Sequence, residues 1–341
     1  MKSILLKTPG QFEYCEVDFN SQLIDNEVLI KIHKVGICGT DIHAYKGDQP
    51  FFNYPRRLGH ELGAEVIAMG NSPKNKNLKI GDKVSVEPYL TCGHCQACQI
   101  GKTNCCESLQ CLGVHTDGGM CDFIKMPSDK LHKSDLLAYE QLALVETLGI
   151  GCHAVNRAEI TPTDIVLVIG AGPIGLSVLQ FISFTGAKIV LMDTNQNRID
   201  FANTLFEIDH NILVVNTLDE NILRNTLNGM LPSIVFDATG NANSMANAFK
   251  YVAFGGKLIY VGLVQGEISF SDPHFHRREI TLLASRNSVA ADFKNIILAM
   301  ESGKIDTNSW ITHQADFKDM VAVFDHWLKP ESNVIKAMIG F

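Results

Sequence analysis

Four cysteines stand at Cys92, Cys95, Cys98 and Cys106, a C-x2-C-x2-C-x7-C pattern on one short excursion of chain. Thiolates at that spacing can close a tetrahedral zinc site with no open position. Such a site holds a loop through metal-binding energy and does no chemistry. Cys105 adjoins Cys106 and is the alternative fourth ligand. His94, inside the loop, is expected on the surface, and Cys15, Cys111 and Cys121 are expected to be buried free thiols.

A different chemistry is written at Gly170-Ala171-Gly172-Pro173-Ile174-Gly175, which follows the apolar run Ile165–Ile169 and opens a helical pattern. Glycines there permit a tight turn and let backbone N–H groups approach a pyrophosphate. Asp193 closes the next apolar run, 18 residues beyond Gly175. That offset suits a carboxylate that accepts hydrogen bonds from an adenosine ribose, and its charge would repel a 2′-phosphate, so NAD is expected over NADP. Arg198 is the nearby residue that pulls against this preference. Two further motifs are Cys38-Gly39-Thr40-Asp41-Ile42-His43 and Gly59-His60-Glu61. Taken singly, Cys38 reads as a small buried hydrophobe and His60 as a satisfied core histidine.

The elements that must position these residues change character along the chain. Residues 1–150 read as short strands, such as 27–33 and 63–69, separated by Gly, Pro and Asn clusters. From Thr161-Pro162 onward, strands are expected at 165–169, 188–192, 212–215, 234–236, 257–261 and 280–284, with helices at 174–184, 196–205, 220–228 and 244–253. Six strands with intervening helices suit an α/β, doubly wound dinucleotide domain. We therefore expect a β-rich domain over 1–150, completed by 286–341, and a dinucleotide domain over 151–285.

With 341 residues the chain is long enough for two cores. A net charge of -8 with no block of Lys or Arg argues against nucleic acid or an anionic membrane as partner. Lys7 interrupts Ile4-Leu5-Leu6, so no secretory segment is expected there. The uncharged run 165–187 is long enough for a membrane span, but glycines at 170, 172 and 175 divide it into strand, turn and helix. In a chain read as cytoplasmic, clustered cysteines favour metal over disulfides.

Cys38 with Thr40, Asp41 and His43, the Gly59-His60-Glu61 motif, the four-cysteine loop, Glu146, the glycine fingerprint and Asp193 occur together in the order found in zinc-containing medium-chain dehydrogenases. The whole chain resembles that superfamily, in its polyol dehydrogenase branch. The resemblance implies a GroES-like catalytic domain, a Rossmann NAD domain and two zinc ions per chain. It implies that Cys38 and His60 ligate the catalytic zinc, with Glu146, directly or through water, as the remaining ligand. Glu61 is the adjacent candidate and Cys152 a third. Thr147 stands where the branch usually has proline, which puts the loop geometry there in question. The ion would act as a Lewis acid on a substrate alcohol that gives hydride to nicotinamide. The Thr40 hydroxyl would take the proton and His43 would pass it outward. Asp41 would brace the loop or orient a ligand.

Substrate signals are softer. Residues 47–55, 271–276 and 284–287 resemble bacterial members of the superfamily that oxidise the sugar acid L-galactonate. Arg286, followed by Asn287, falls where polyol dehydrogenases place a substrate-binding arginine, and an arginine pairs well with a carboxylate. It could equally hold cofactor or a loop. Phe51 and Phe52 are candidates for a pocket wall. A sugar acid or polyol is thus the expected substrate, threonine or a small diol the alternative, and a catalytically silent zinc protein the reading from another class. A homodimer or homotetramer is implied by the resemblance.

Overall fold

The computed structural model describes residues 1–49, 52–214 and 219–341. They form two compact units, Met1–Glu146 with Val289–Phe341, and Thr147–Ser288. The dividing points lie near the expected boundaries without coinciding. The helix Tyr139–Ala158 runs unbroken through residue 150, so no turn residue marks the junction.

The first unit is built on a seven-stranded sheet. Its central strand, Glu27–Gly36, pairs along one edge with Glu61–Met69. Its other edge is shared by Phe123–Pro127 and, at the far end, Lys336–Gly340. The C-terminal segment therefore returns to the first unit and supplies two strands of its sheet, Ile311–Asp316 and Lys336–Gly340. Ile30, Ile32, Val35, Leu62, Val66 and Val84 are buried in one core cluster. Immediately after the central strand comes a short helix, Gly39–Lys46, which ends at Gly47 in the left-handed conformation.

The second unit is a parallel sheet in the order His210–Leu213, Lys188–Asp193, Ile165–Ile169, Ile234–Asp237, Lys257–Tyr260, Thr281–Ala284. This is the doubly wound order, in which direction of travel reverses between the first and fourth strands. The central strands are continuous apolar runs because helices cover both faces of a parallel sheet. Two expectations shift. The helix expected at 244–253 is a short helix, Ala242–Ala248, followed by a tighter turn, Phe249–Tyr251. The strand expected at 212–215 is His210–Leu213, and Val215 lies outside the described residues. Among the described residues no helix is long and apolar enough to cross a membrane.

Within this unit Gly151 lets two helices touch. Its N–H donates to Ser177 Oγ at 3.0 Å, and that hydroxyl donates to Leu148 O at 3.0 Å. A Cβ at position 151 would collide with the Ser177 backbone. Alanine gains up to about 1 kcal/mol in helix propensity, but overpacking against backbone costs about 1–3 kcal/mol. Gly151→Ala should therefore be net destabilising by about 1–2 kcal/mol, read from urea unfolding followed with and without NADH.

Candidate active site

Cys38, His60 and Glu61 present ligand atoms that all lie within 4.8 Å of one another. The sheet accounts for the convergence. Cys38 caps the helix Gly39–Lys46, just past the end of the central strand, and Glu61 opens the neighbouring strand opposite Gly36. A side chain at position 36 would occupy the space of the Glu61 carboxylate, so only glycine admits it. Asp41 Oδ2 accepts the Cys38 N–H at 2.8 Å, which fixes the turn that carries the thiol. Its other oxygen lies 3.9 Å from His60 Nδ1. Both of these atoms are buried and without a hydrogen bond.

Two carboxylates flank this cluster, each with a dedicated partner. Lys336, only 1% exposed, donates to Glu61 Oε1 at 2.6 Å and Oε2 at 2.8 Å, and to Ile37 O at 3.2 Å. The Tyr89 hydroxyl donates to Glu146 Oε1. Glu146 stands outside the close set of three, yet its charge acts on His60. Burial raises the carboxyls of Asp41 and Glu146 above their usual range. Burial also disfavours charge on His60, but Cys38 and Asp41 outweigh it and hold the imidazole well above its ordinary pKa. The arrangement is a buried excess of anionic groups around a Cys–His–Glu donor set. Those donors suit zinc, and a cation there would relieve the repulsion among them.

The four-cysteine loop also closes on itself. The sulfurs of Cys92, Cys95, Cys98 and Cys106 form a second compact set, whereas Cys105 is exposed. Backbone N–H groups point at these sulfurs: Cys92 N donates to Cys106 Sγ at 3.3 Å and Cys95 N to Cys92 Sγ at 3.3 Å. N–H groups of Glu107 and Cys98 lower the Cys95 thiol to about 6. Burial and its thiol neighbours push Cys98 up to about 12. Four thiolates so close need a metal cation to ionise together.

In the second unit Gly170 has φ +98° and Gly172 caps the helix Pro173–Ile182, with proline at its first turn. A Cβ on Gly175 would strike the Gly170 carbonyl. Asp193 ends its strand with Oδ2 accepting the Ala171 N–H at 2.6 Å and Oδ1 accepting Asn195 N–H at 2.8 Å. It thus holds the glycine turn. The Arg198 guanidinium lies over Gly172, 3.8 Å from where a Cβ would stand.

The remaining sequence candidates are placed as follows. Thr40 is half-buried and His43 exposed, one turn apart on the helix that Cys38 caps; His43 Nδ1 lies 2.9 Å from Asp48 Oδ1. Arg286 is exposed, and Asn287 is half-buried with φ +53°. Phe52 is half-buried against Tyr54, while Phe51 lies outside the described residues. Cys152 is buried in the second unit, where its sulfur accepts from Asn156. Cys111, expected as one more buried thiol, borders the metal-type cluster: burial pushes it to about 12, and the charges of His60, Glu146, Cys38 and Asp41 reach it.

Comparison with known proteins agrees with this geometry. Residues 24–136 match the alcohol dehydrogenase GroES-like domain and residues 173–302 the zinc-binding dehydrogenase family. The chain is 41% identical over 317 residues to L-galactonate-5-dehydrogenase of Escherichia coli (strain K12), covering 93% of this chain and 92% of that protein. The protein belongs to the zinc-binding alcohol dehydrogenase family. Sorbitol dehydrogenase of Bacillus subtilis (strain 168) is 32% identical, with 92% of this chain and 90% of that one covered. The crystal structure of the alcohol dehydrogenase RspB from E. coli CFT073, complexed with NADH, superposes with a TM-score of 0.92 at 27% identity, over 100% of this chain and 99% of that one. This protein is accordingly a zinc-binding dehydrogenase, an oxidoreductase.

Lys336 and Tyr89 escaped the sequence reading. The signal for Lys336 was present, a lone lysine in the apolar run 334–339; Tyr89 had none beyond its place ahead of the four-cysteine loop. Removing one partner of a buried ion pair leaves an uncompensated charge and costs about 3–5 kcal/mol. Lys336→Met should lose about that much in the metal-free dehydrogenase and distinctly less once zinc is restored, because the ion supplies the missing positive charge. Urea unfolding with and without chelator checks this; equal losses in both would show that the lysine does not balance the metal cluster.

Proposed function

We propose that the protein oxidises a secondary alcohol of a small sugar acid, L-galactonate or a near relative, and passes the hydride to NAD. The observation that carries the chemistry is the close set of half-buried Cys38 with buried His60 and Glu61, and Glu146 beside it. In this reading Cys38 and His60 hold the catalytic zinc, and Glu61 and Glu146 share the remaining protein position. Lys336 restrains the first of these carboxylates and Tyr89 the second. Cys92, Cys95, Cys98 and Cys106 hold the structural ion. Zinc, when bound, supplies Lewis acidity that lowers the pKa of the substrate hydroxyl. The Thr40 hydroxyl receives the proton from the substrate oxygen. His43, one turn further along the same helix face, carries it to solvent, with Asp48 setting its ring orientation.

The second unit binds NAD through the glycine turn and the Pro173–Ile182 helix start, with Asp193 facing the adenosine ribose and Arg198 beside it. Support for a sugar acid comes from the 41% identity to a protein named for L-galactonate. The exposed Arg286, with Asn287 beside it, supplies a partner for its carboxylate. A neutral polyol is the second reading, favoured by the likeness to sorbitol dehydrogenase. The reading of the cysteine cluster as metal ligands and not disulfides suits a reducing compartment and supports a cytoplasmic placement.

We also infer a homo-oligomer, built on the strand Thr281–Ala284. It ends the parallel sheet, pairs on one side with Lys257–Tyr260, and leaves Leu282 39% exposed with Leu263 70% exposed. An open edge of that kind is a template for a second copy. Leu282→Arg should shift sedimentation toward the monomer; an unchanged sedimentation coefficient would remove this edge from the interface.

Initial rates across L-galactonate, other sugar acids, sorbitol and threonine with NAD and NADP test the substrate. The expected pattern is turnover of L-galactonate with NAD and little with NADP. Turnover of sorbitol or threonine alone would overturn the sugar-acid assignment. In the same assay Cys38→Ser should lose about a thousandfold or more in kcat, with NADH affinity unchanged. Parallel loss of NADH binding would count against its place at the metal.

A further inference from the structure

The carboxylate at the end of the fourth parallel strand has no part in the chemistry described so far. Asp237 is fully buried. Its Oδ1 accepts from Thr239 N at 2.9 Å and Thr239 Oγ1 at 2.6 Å, and its Oδ2 accepts from Ser244 Oγ at 2.6 Å. The partners are therefore two hydroxyls and an amide. Burial accordingly raises its pKa, against the effect of those hydrogen bonds. A buried carboxylate satisfied in this way is costly unless the turn it organises matters.

That turn sits at the reversal of strand order, where a doubly wound sheet opens its crevice. Ala238 N donates to Ile169 O at 2.9 Å, so the turn lies directly against the strand that feeds the glycine loop. The Thr239 methyl lies 3.2 Å from where a Cβ on Gly170 would stand, so it buttresses the first glycine. The Thr239 hydroxyl accepts from Asn241 N at 3.1 Å, and Asn241 in turn caps the helix Ala242–Ala248. On the other side, Val261 N and Gly262 N donate to Asp237 O at 2.9 and 3.1 Å. A Cβ on Gly262 would strike the Gly240 backbone. The turn thus meets the glycine loop through the Thr239 methyl and meets Gly262 backbone to backbone.

We infer that Asp237 is a positioning residue for the nicotinamide half of the bound dinucleotide, acting through the turn Thr239–Gly240 that it holds between the glycine loop and Gly262. The division of labour follows from the sheet. The first three strands carry Asp193 and serve the adenosine half. The fourth and fifth, ending at Asp237 and Tyr260, serve the other half. The inference rests on NAD occupying this unit. If the unaltered enzyme failed to bind NADH, that reading would fall, and the comparison below would not arise.

The test compares NADH and AMP affinity for the zinc-loaded enzyme and three variants, by fluorescence and calorimetry, alongside thermal melting. AMP reports the adenosine half alone. Asp237→Ala and Thr239→Val should weaken NADH about tenfold, the scale of one or two lost buried hydrogen bonds, and leave AMP within about twofold. Thr239→Val keeps the methyl contact with Gly170 while removing the hydroxyl, so it decides the matter if Asp237→Ala fails to fold. Asp237→Asn keeps an acceptor for Thr239 and offers Ser244 a donor, so it should restore NADH binding to within about twofold. Equal weakening of AMP and NADH, or no weakening of either, would overturn the assignment. So would an asparagine variant as poor as the alanine one, since charge and not geometry would then be at work.

Discussion

The gathering of three buried acidic side chains, Asp41, Glu61 and Glu146, beside the Cys38 thiol constrains the first unit more than any other feature. Carboxylates and a thiol gathered out of water repel one another and lose hydration, so each must be held and the whole must be balanced. Among the described residues the balance comes from His60 and Lys336. Lys336 opens the strand Lys336–Gly340, 275 residues along the chain from the glutamate that it meets. The return of the C-terminal strands to the first sheet is therefore part of the construction of the candidate site. It delivers the buried lysine that pairs with both oxygens of the buried Glu61 carboxylate, beside two metal-type ligands.

The two metal-type clusters contrast in how they are assembled. The four thiols come from fifteen consecutive residues, and the loop's own N–H groups stabilise their charge. A closed thiolate set of this kind ties down its own loop. The other set takes Cys38 from a helix cap and His60 and Glu61 from the start of a strand, and depends on the register that places Gly36 opposite Glu61. It has fewer ligands and keeps a hydroxyl-bearing helix, with Thr40 and His43, immediately beside it. That difference in construction is what the proposed division into a structural and a chemical site rests on.

The dinucleotide unit repeats one device. Asp193 ends one strand and accepts an N–H from the glycine turn. Asp237 ends another and accepts an N–H from the turn that leans on the same glycines. Each side chain converts a flexible strand-to-helix connection into a defined surface, because its oxygens accept from backbone N–H groups of the turn that follows or adjoins the strand.

Local patterns were legible in the amino-acid order alone. The four-cysteine spacing, the glycine fingerprint with Asp193 behind it, and five of the six parallel strands needed no three-dimensional information, because their physical logic is confined to neighbouring residues. Cys38, His60 and Glu146 were nameable only through resemblance to a family, since nothing in a lone cysteine or histidine distinguishes a ligand from core filler. Tertiary structure alone decided that Lys336 grips Glu61, that Tyr89 holds Glu146, that Cys111 borders the cluster and that Asp237 governs a turn. These are pairings across strands and between distant segments, set by sheet register. Register depends on the whole hydrophobic pattern of a fold, so even a residue that stands out, as Lys336 does in its apolar run, carries no mark of the partner it will meet.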